Sequence, residues 1–218
     1  MRLAVLSLAL LSLALSAPAF AATVIFDDGP TDGFTNALFI DGPNPGPFSQ
    51  SISDGFVATG SGSATALDFG IWVPTGTTPT TVTWWLGSTG NFSSDLGTGT
   101  VATNNITFLN SNSIGYDVYE VHITGMVTGA MTAGQTYYLS LGNANDSGGT
   151  QFDGWDINNG PASCEFAVGG VDFGSCGFGG EAFTLYGGNA GVPEPGTLVM
   201  MGSGILGLAG ILRRKINL

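Results

Sequence analysis

Between Ala22 and Gly191 the chain carries no lysine and no arginine, against fifteen aspartates and glutamates. Its four basic residues of that kind, Arg2, Arg213, Arg214 and Lys215, all lie near the two ends. A domain folded from the middle of this chain cannot neutralise a carboxylate with Lys or Arg. Salt bridges are therefore not expected inside it. Stability must come from apolar burial, hydrogen bonds, cross-links and bound cations. With no cationic side chain to neutralise phosphates, nucleic-acid binding is excluded as a function. The formal net charge of −12 attracts cations and repels other acidic surfaces.

The two ends read as transport signals. Residues 1–22 combine Arg2, an apolar core over 3–15 and the small-residue run Ala17-Pro18-Ala19-Phe20-Ala21-Ala22, the pattern of a cleaved signal peptide. The other end reads Val192-Pro193-Glu194-Pro195-Gly196, then an uncharged stretch over 197–212, then Arg213-Arg214-Lys215. The two prolines hold an extended hinge. The apolar stretch is helix-compatible but shorter than the roughly 20 residues of an ordinary span, and the basic cluster holds its end on the cytoplasmic side.

This tail resembles the PEP-CTERM sorting signal: Pro193, Glu194 and Pro195 match its tripeptide, and Arg213, Arg214 and Lys215 its basic end. The resemblance implies an exported bacterial protein, recognised by the membrane enzyme exosortase in a setting of exopolysaccharide production. It implies a place in the cell envelope, at the cell surface or in the extracellular matrix, with extracellular polysaccharide as a further partner. The expected organisation is a signal peptide over 1–22, an extracytoplasmic domain over 23–187, a flexible linker over 188–192, and the sorting signal with its transmembrane helix over 193–218. Stretches such as Phe69-Gly70-Ile71-Trp72 and Glu181-Ala182-Phe183-Thr184-Leu185-Tyr186 resemble ectodomains found ahead of such tails, which carry no generally assigned activity.

The domain reads as all-β. Gly, Ser, Thr, Asn and Asp abound, and short alternating runs recur between turn clusters. Strands are expected over 23–26, 35–40, 48–58, 65–73, 80–86, 99–109, 116–126, 136–141 and 182–186. Leu67, Phe69, Ile71 and Val73 share one face, as do Val82, Trp84 and Leu86, and Tyr119, Val121 and Ile123. Such strands predict an antiparallel β-sandwich of the jelly-roll kind. The sandwich should end near Tyr186.

Few residues point to chemistry. Cys164 and Cys176, outside the membrane and even in number, predict a disulfide closing an eleven-residue loop. Asn145-Asp146-Ser147-Gly148-Gly149 resembles the segment around the nucleophile of chymotrypsin-like proteases. The sole histidine, His122, lies too close upstream for that family, and a Gly-rich turn explains the match. His122 should face solvent from a strand. Glu120, Glu165 and Glu181 are the domain's glutamates and its glycosidase candidates, but no pairing follows from the sequence, and a non-enzyme is expected.

Asp27, Asp28 and Asp32, and separately Asp146, Asp153 and Asp156, offer oxygen ligands for a structural calcium ion; no other cofactor is expected. Trp72 and Trp85 fall opposite the apolar faces of their strands. If those strands are neighbours, the indoles form a platform for sugar rings, the mark of a carbohydrate-binding module. An extracellular glycan hydrolase or lyase is the remaining alternative.

Overall fold

A computed structural model describes residues 22–34, 36–41, 50–149, 152–168 and 171–188. The signal peptide, the linker beyond Gly188 and the sorting segment with Pro193, Glu194, Pro195, Arg213, Arg214 and Lys215 lie outside the described residues. The described part falls within one compact unit, Ala22–Gly188.

It is all-β. Thirteen strands run β1 (Thr23–Asp27), β2 (Asn36–Phe39), β3 (Gln50–Val57), β4 (Gly62–Pro74), β5 (Pro79–Gly87), β6 (Gly97–Ala102), β7 (Ile106–Ser111), β8 (Tyr116–Thr124), β9 (Ala130–Met131), β10 (Thr136–Asp146), β11 (Gly154–Val168), β12 (Val171–Glu181) and β13 (Phe183–Gly188). All their pairings are antiparallel and link the strands into one sheet.

The sheet has two arms. One runs β1-β13-β4-β8-β7; the other runs β12-β11-β3-β10-β5-β6. β11 belongs to both. Gly154 and Trp155 pair with β4, while Gly154 to Ile157 pair with β2 on the other edge. Farther along, Ser163 to Val168 pair with β3. Gly160 and Pro161 lie between these two ladders, where the backbone is free of regular pairing on that edge.

The inner faces of the arms close on a single core. The alternation expected from sequence holds: Leu67, Phe69, Ile71 and Val73 of β4, Val82, Trp84 and Leu86 of β5, and Tyr119, Val121 and Ile123 of β8 are buried in it together. Rings cross between the arms. Phe56 of β3 lies 4.7 Å from Phe26 of β1 and 5.6 Å from Phe183 of β13, centroid to centroid. The two layers of the expected sandwich are thus the two halves of a continuous sheet, folded over these aromatic contacts.

The departures from expectation have local causes. The strand expected over 99–109 is two, β6 and β7, divided at Thr103-Asn104-Asn105, where the side chain of Thr103 turns in and the chain bends. β11 and β12 were not expected, because their Gly, Asn and Ser content reads as loop. The domain also runs past Tyr186: Gly187 and Gly188 remain in β13, paired with Ala64 and Ser63.

The β11–β12 ribbon shows why the cysteines matter. Its ladder changes register four times between Ile157 and Ala167, and β12 holds Gly174 and Gly177 at positive φ, 88° and 76°. Glycine-rich pairing of this kind specifies register weakly. The Cys164–Cys176 disulfide, with Cα atoms 5.5 Å apart, fixes it instead. Reducing the disulfide, or replacing both cysteines by alanine, is expected to lower the unfolding free energy by about 3 kcal/mol, read from urea melts of oxidised and reduced protein. Coincident melts would show that the ribbon does not depend on its cross-link.

Candidate functional site

Among the described residues twelve polar or charged side chains are buried, and eight of them are acids: Asp28, Asp41, Asp54, Asp117, Asp146, Asp153, Asp156 and Glu181. Most sit where a ladder stops, and they accept hydrogen bonds from amides that the sheet leaves over. Asp28 Oδ1 accepts from the Ala162 amide at 2.8 Å, just past the crossing in β11. Asp54 Oδ2 accepts from the Glu181 amide at 2.8 Å, where β12 ends. Asp156 accepts from the amides of Asp32 (2.9 Å) and Gly33 (3.2 Å) and from Trp72 Nε1 (2.5 Å). Asp41 Oδ1 accepts from the Asp153 amide at 2.9 Å. Charge-assisted bonds of this type are the strong ones, which is why an acid can be held in a sheet interior.

These acids form two clusters. In the first, Asp28, Asp54 and Glu181 meet below the disulfide, and Glu181 Oε1 lies 3.0 Å from Cys164 Sγ. Glycines make the space. A Cβ on Gly180 would stand 2.1 Å from Asp28 Oδ2, and one on Gly160 would stand 2.2 Å from the Asp28 carbonyl oxygen. Asp54 and Glu181 are within hydrogen-bonding reach of each other, yet with both ionised Asp54 Oδ1 and Glu181 Oε2 have no donor. A proton kept on the pair removes the conflict. Burial pushes Asp28 up to about 7, with Asp54 and Asp27 adding to the rise against the Ala162 amide. Burial, then Asp54, raises Glu181 well above the usual carboxylate range.

The second cluster joins Asp41, Asp146 and Asp153 at the ends of β10 and β11. The calcium set expected from sequence is therefore redistributed. Asp146 and Asp153 do meet, joined by the unforeseen Asp41. Asp156 is instead engaged by three protein donors on the other side of β11. Asp28 belongs to the first cluster. Asp27 is exposed and accepts from the Gly29 amide and the Thr184 hydroxyl, while Asp32 caps Phe34. The 27–32 acids do not form a common site.

Trp72 and Trp85 do not share a platform. β4 and β5 are not neighbours: β5 pairs with β10 and β6. Trp85 is half-buried in the second arm, and Trp72 is 4% exposed. Trp72 instead lines a cleft of about 190 Å³ with Asn36, Phe39, Ile114, Tyr116 and Phe152. Its ring is 6.1 Å from Tyr116, and Phe39 stands 5.9 Å from Phe152 in an edge-to-face pair. Phe39, Ile114 and Phe152 leave large parts of their apolar surface in solvent, at 37%, 68% and 51%. The sequence signal for this cleft was weak, since its walls come from β2, β4, the β7–β8 turn and the lead into β11.

One expected absence does not hold. His122 forms an ion pair with Asp68 when protonated, and Tyr186 donates to the other Asp68 oxygen at 2.8 Å. The three side chains line one outer face across β8, β4 and β13, and burial with Asp68 pushes Tyr186 up to about 12. The histidine is thus half-buried and engaged, not simply solvent-facing. Ser147 accepts from the Thr78 amide through its hydroxyl oxygen, which suits the turn reading of Asn145 to Gly149. Among the glutamates, Glu120 is exposed on β8, Glu165 is bonded to Asn91, and Glu181 is sealed in the first cluster. No helix among the described residues is long and apolar enough to cross a membrane.

A family model, the PEP-CTERM protein-sorting motif, matches residues 191–215. The chain therefore carries this sorting signal, and with it the mark of an exported protein that is processed by exosortase at a membrane and held transiently at the cell envelope. No curated protein matches the chain.

Raised carboxyl affinities fix the sign of the pH dependence. Groups protonated in the fold but ionised when unfolded stabilise fully below the unfolded value near 4, and this stabilisation is lost as pH rises through the folded value. For Asp28 and Glu181 that window runs from about pH 4 to beyond about pH 7. Asp95, exposed and held at about 2 by the Ser88 hydroxyl and amide, acts in the opposite sense but below this window. In metal-free buffer the melting temperature is expected to be highest near pH 4 to 5 and to fall towards pH 8. Glu181→Gln should flatten the fall. A profile that rises over this window would show that the cluster is not protonated.

Proposed function

We propose that this exported protein is a non-enzymatic component of the cell surface or extracellular matrix, working alongside exopolysaccharide. The sorting motif at 191–215 carries the reading. The properties of the domain support it. It is an acidic, disulfide-stapled sandwich without lysine or arginine, and its acids serve to close the fold. Such a surface repels acidic polymers unless cations bridge them, and it is indifferent to neutral ones.

The aromatic cleft favours a second reading, a carbohydrate-binding module for neutral glycans. Exposed aromatic rings stack on the C–H faces of sugar rings, and Asn36 and the Tyr116 phenol supply hydrogen bonds at the rim. With no cation near, uronic or sulfated sugars are disfavoured. The two glutamates that reach solvent or part of it, Glu120 and Glu165, lie on different strands away from this cleft, so a hydrolase or lyase has the least support.

Replacing Pro193-Glu194-Pro195 by alanines in the native host is expected to leave an unprocessed, membrane-bound chain, whereas the wild type loses its tail. Equal processing of both would remove the sorting reading. On an array of neutral and acidic glycans, binding should be confined to neutral ones and weakened about tenfold or more by Phe152→Ala, the cost of one well-stacked ring. A blank array would leave the matrix role without the binding activity. Turnover of any glycan, abolished by Glu120→Gln or Glu165→Gln, would replace both readings with an enzyme.

A further inference from the structure

Of the acids that the fold buries, Asp153 stands apart. It is 0% exposed, and no amide or hydroxyl among the described residues donates to either of its carboxylate oxygens. Its side chain faces two further carboxylates, Asp146 and Asp41. Asp28, Asp54, Asp41 and Asp156 each accept at least one backbone amide; Asp153 accepts none.

The position is fixed by the main chain. The Ile40 amide donates to the Asp153 carbonyl at 2.9 Å, the Asp153 amide donates to Asp41 Oδ1 at 2.9 Å, and the Ala144 amide donates to the Ile40 carbonyl at 2.8 Å. Three segments, 40–41, 144–146 and 153, are therefore laced together with an acid on each. Asp146 is anchored through the Gly148 amide at 2.6 Å and also reaches towards Asp153. Between Ala22 and Gly191 no Lys or Arg is available to balance these charges, and His122 is committed to Asp68 on β4.

We propose that Asp41, Asp146 and Asp153 bind a divalent cation of the calcium class. The donors are all hard oxygens, which suits calcium and gives no purchase to metals that prefer nitrogen or sulfur. Burying three ionised carboxylates together without a counter-charge is prohibitive. A divalent ion offsets two of the charges and gives Asp153 a cationic partner in place of two further carboxylates. Asp146 and the exposed turn Ser147-Gly148-Gly149 give the ion a route from solvent. The cluster under the disulfide does not compete. There Asp28 and Asp54 each accept a backbone amide, and Asp54 and Glu181 stand within reach of one proton.

As the side chains stand, the only three ligand groups within 4.8 Å of one another among the described residues are Cys164, Cys176 and Glu181, and the disulfide takes both sulfurs. The aspartate trio is wider than one coordination sphere, so coordination turns its side chains inward. That movement gives a spectroscopic handle. Tyr116 lies close enough to Asp41 and Asp153 to feel both charges, and its fluorescence should change as the ion binds.

The test uses the full chain, exported and purified with detergent, and titrated with calcium chloride at neutral pH by calorimetry. Saturable binding of one ion per chain is expected, with a rise in melting temperature. Asp153→Asn should weaken it by at least about tenfold, the loss ordinary for even an outer-shell partner. Asp54→Asn, at the other cluster, should bind as the wild type does. If Asp153→Asn does not fold, judged by near-ultraviolet circular dichroism, Asp146→Asn decides the point. Only weak, unsaturable binding, or binding equal in wild type and the Asp153 or Asp146 variant, would overturn the site.

Discussion

The structure depends on how a sheet can change partners in mid-strand without stranding its amides. β11 leaves β4 and β2 and joins β3, and near that crossing the regular ladder fails. Each exposed amide would cost free energy in a dry interior. The chain supplies carboxylates instead of neighbouring strands: Asp28 for Ala162, Asp54 for Glu181, and Asp156 for the 32–33 turn. An acid that accepts two or three bonds fills the gap more completely than a hydroxyl. The consequence is negative charge in the core of a domain with no lysine or arginine. Protons and metal ions are the remaining means of balancing it.

Some of this could be read in the chain before any geometry was known. Alternation in 65–73, 80–86 and 116–126 gave the right inward faces, because strands with one buried face write that pattern directly. β11 and β12 were illegible for a physical reason. In Gly154–Val168 the strand changes neighbours, so its burial does not alternate regularly. Val171–Glu181 is held by a disulfide and by glycines at positive φ, and so needs little β propensity.

The candidate sites follow the same division. Acids near one another in sequence part company: Asp27 and Asp28 point to opposite sides of an extended chain, and Gly29 at a φ of 102° turns the chain before Asp32. Asp41 and Asp153, 112 residues apart, are joined by a hydrogen bond from the Asp153 amide to the Asp41 carboxylate. Trp72 lines a cleft, but its companions there, Tyr116, Phe39 and Phe152, come from three other segments. Pairing it with Trp85 assumed that consecutive strands are neighbours. Here β5 crosses to the opposite arm.

β13 is the last described strand before the sorting tail, and it is hydrogen-bonded on both edges, to β1 and to β4. While the unprocessed tail still holds the chain at the membrane, tension enters the described fold at Gly188. Pulled lengthwise, β13 must slide against both neighbours at once, so many hydrogen bonds share the load together instead of parting singly. A protein held by its tail in flowing water or a swelling gel would meet drag at the point where its sheet resists shear best.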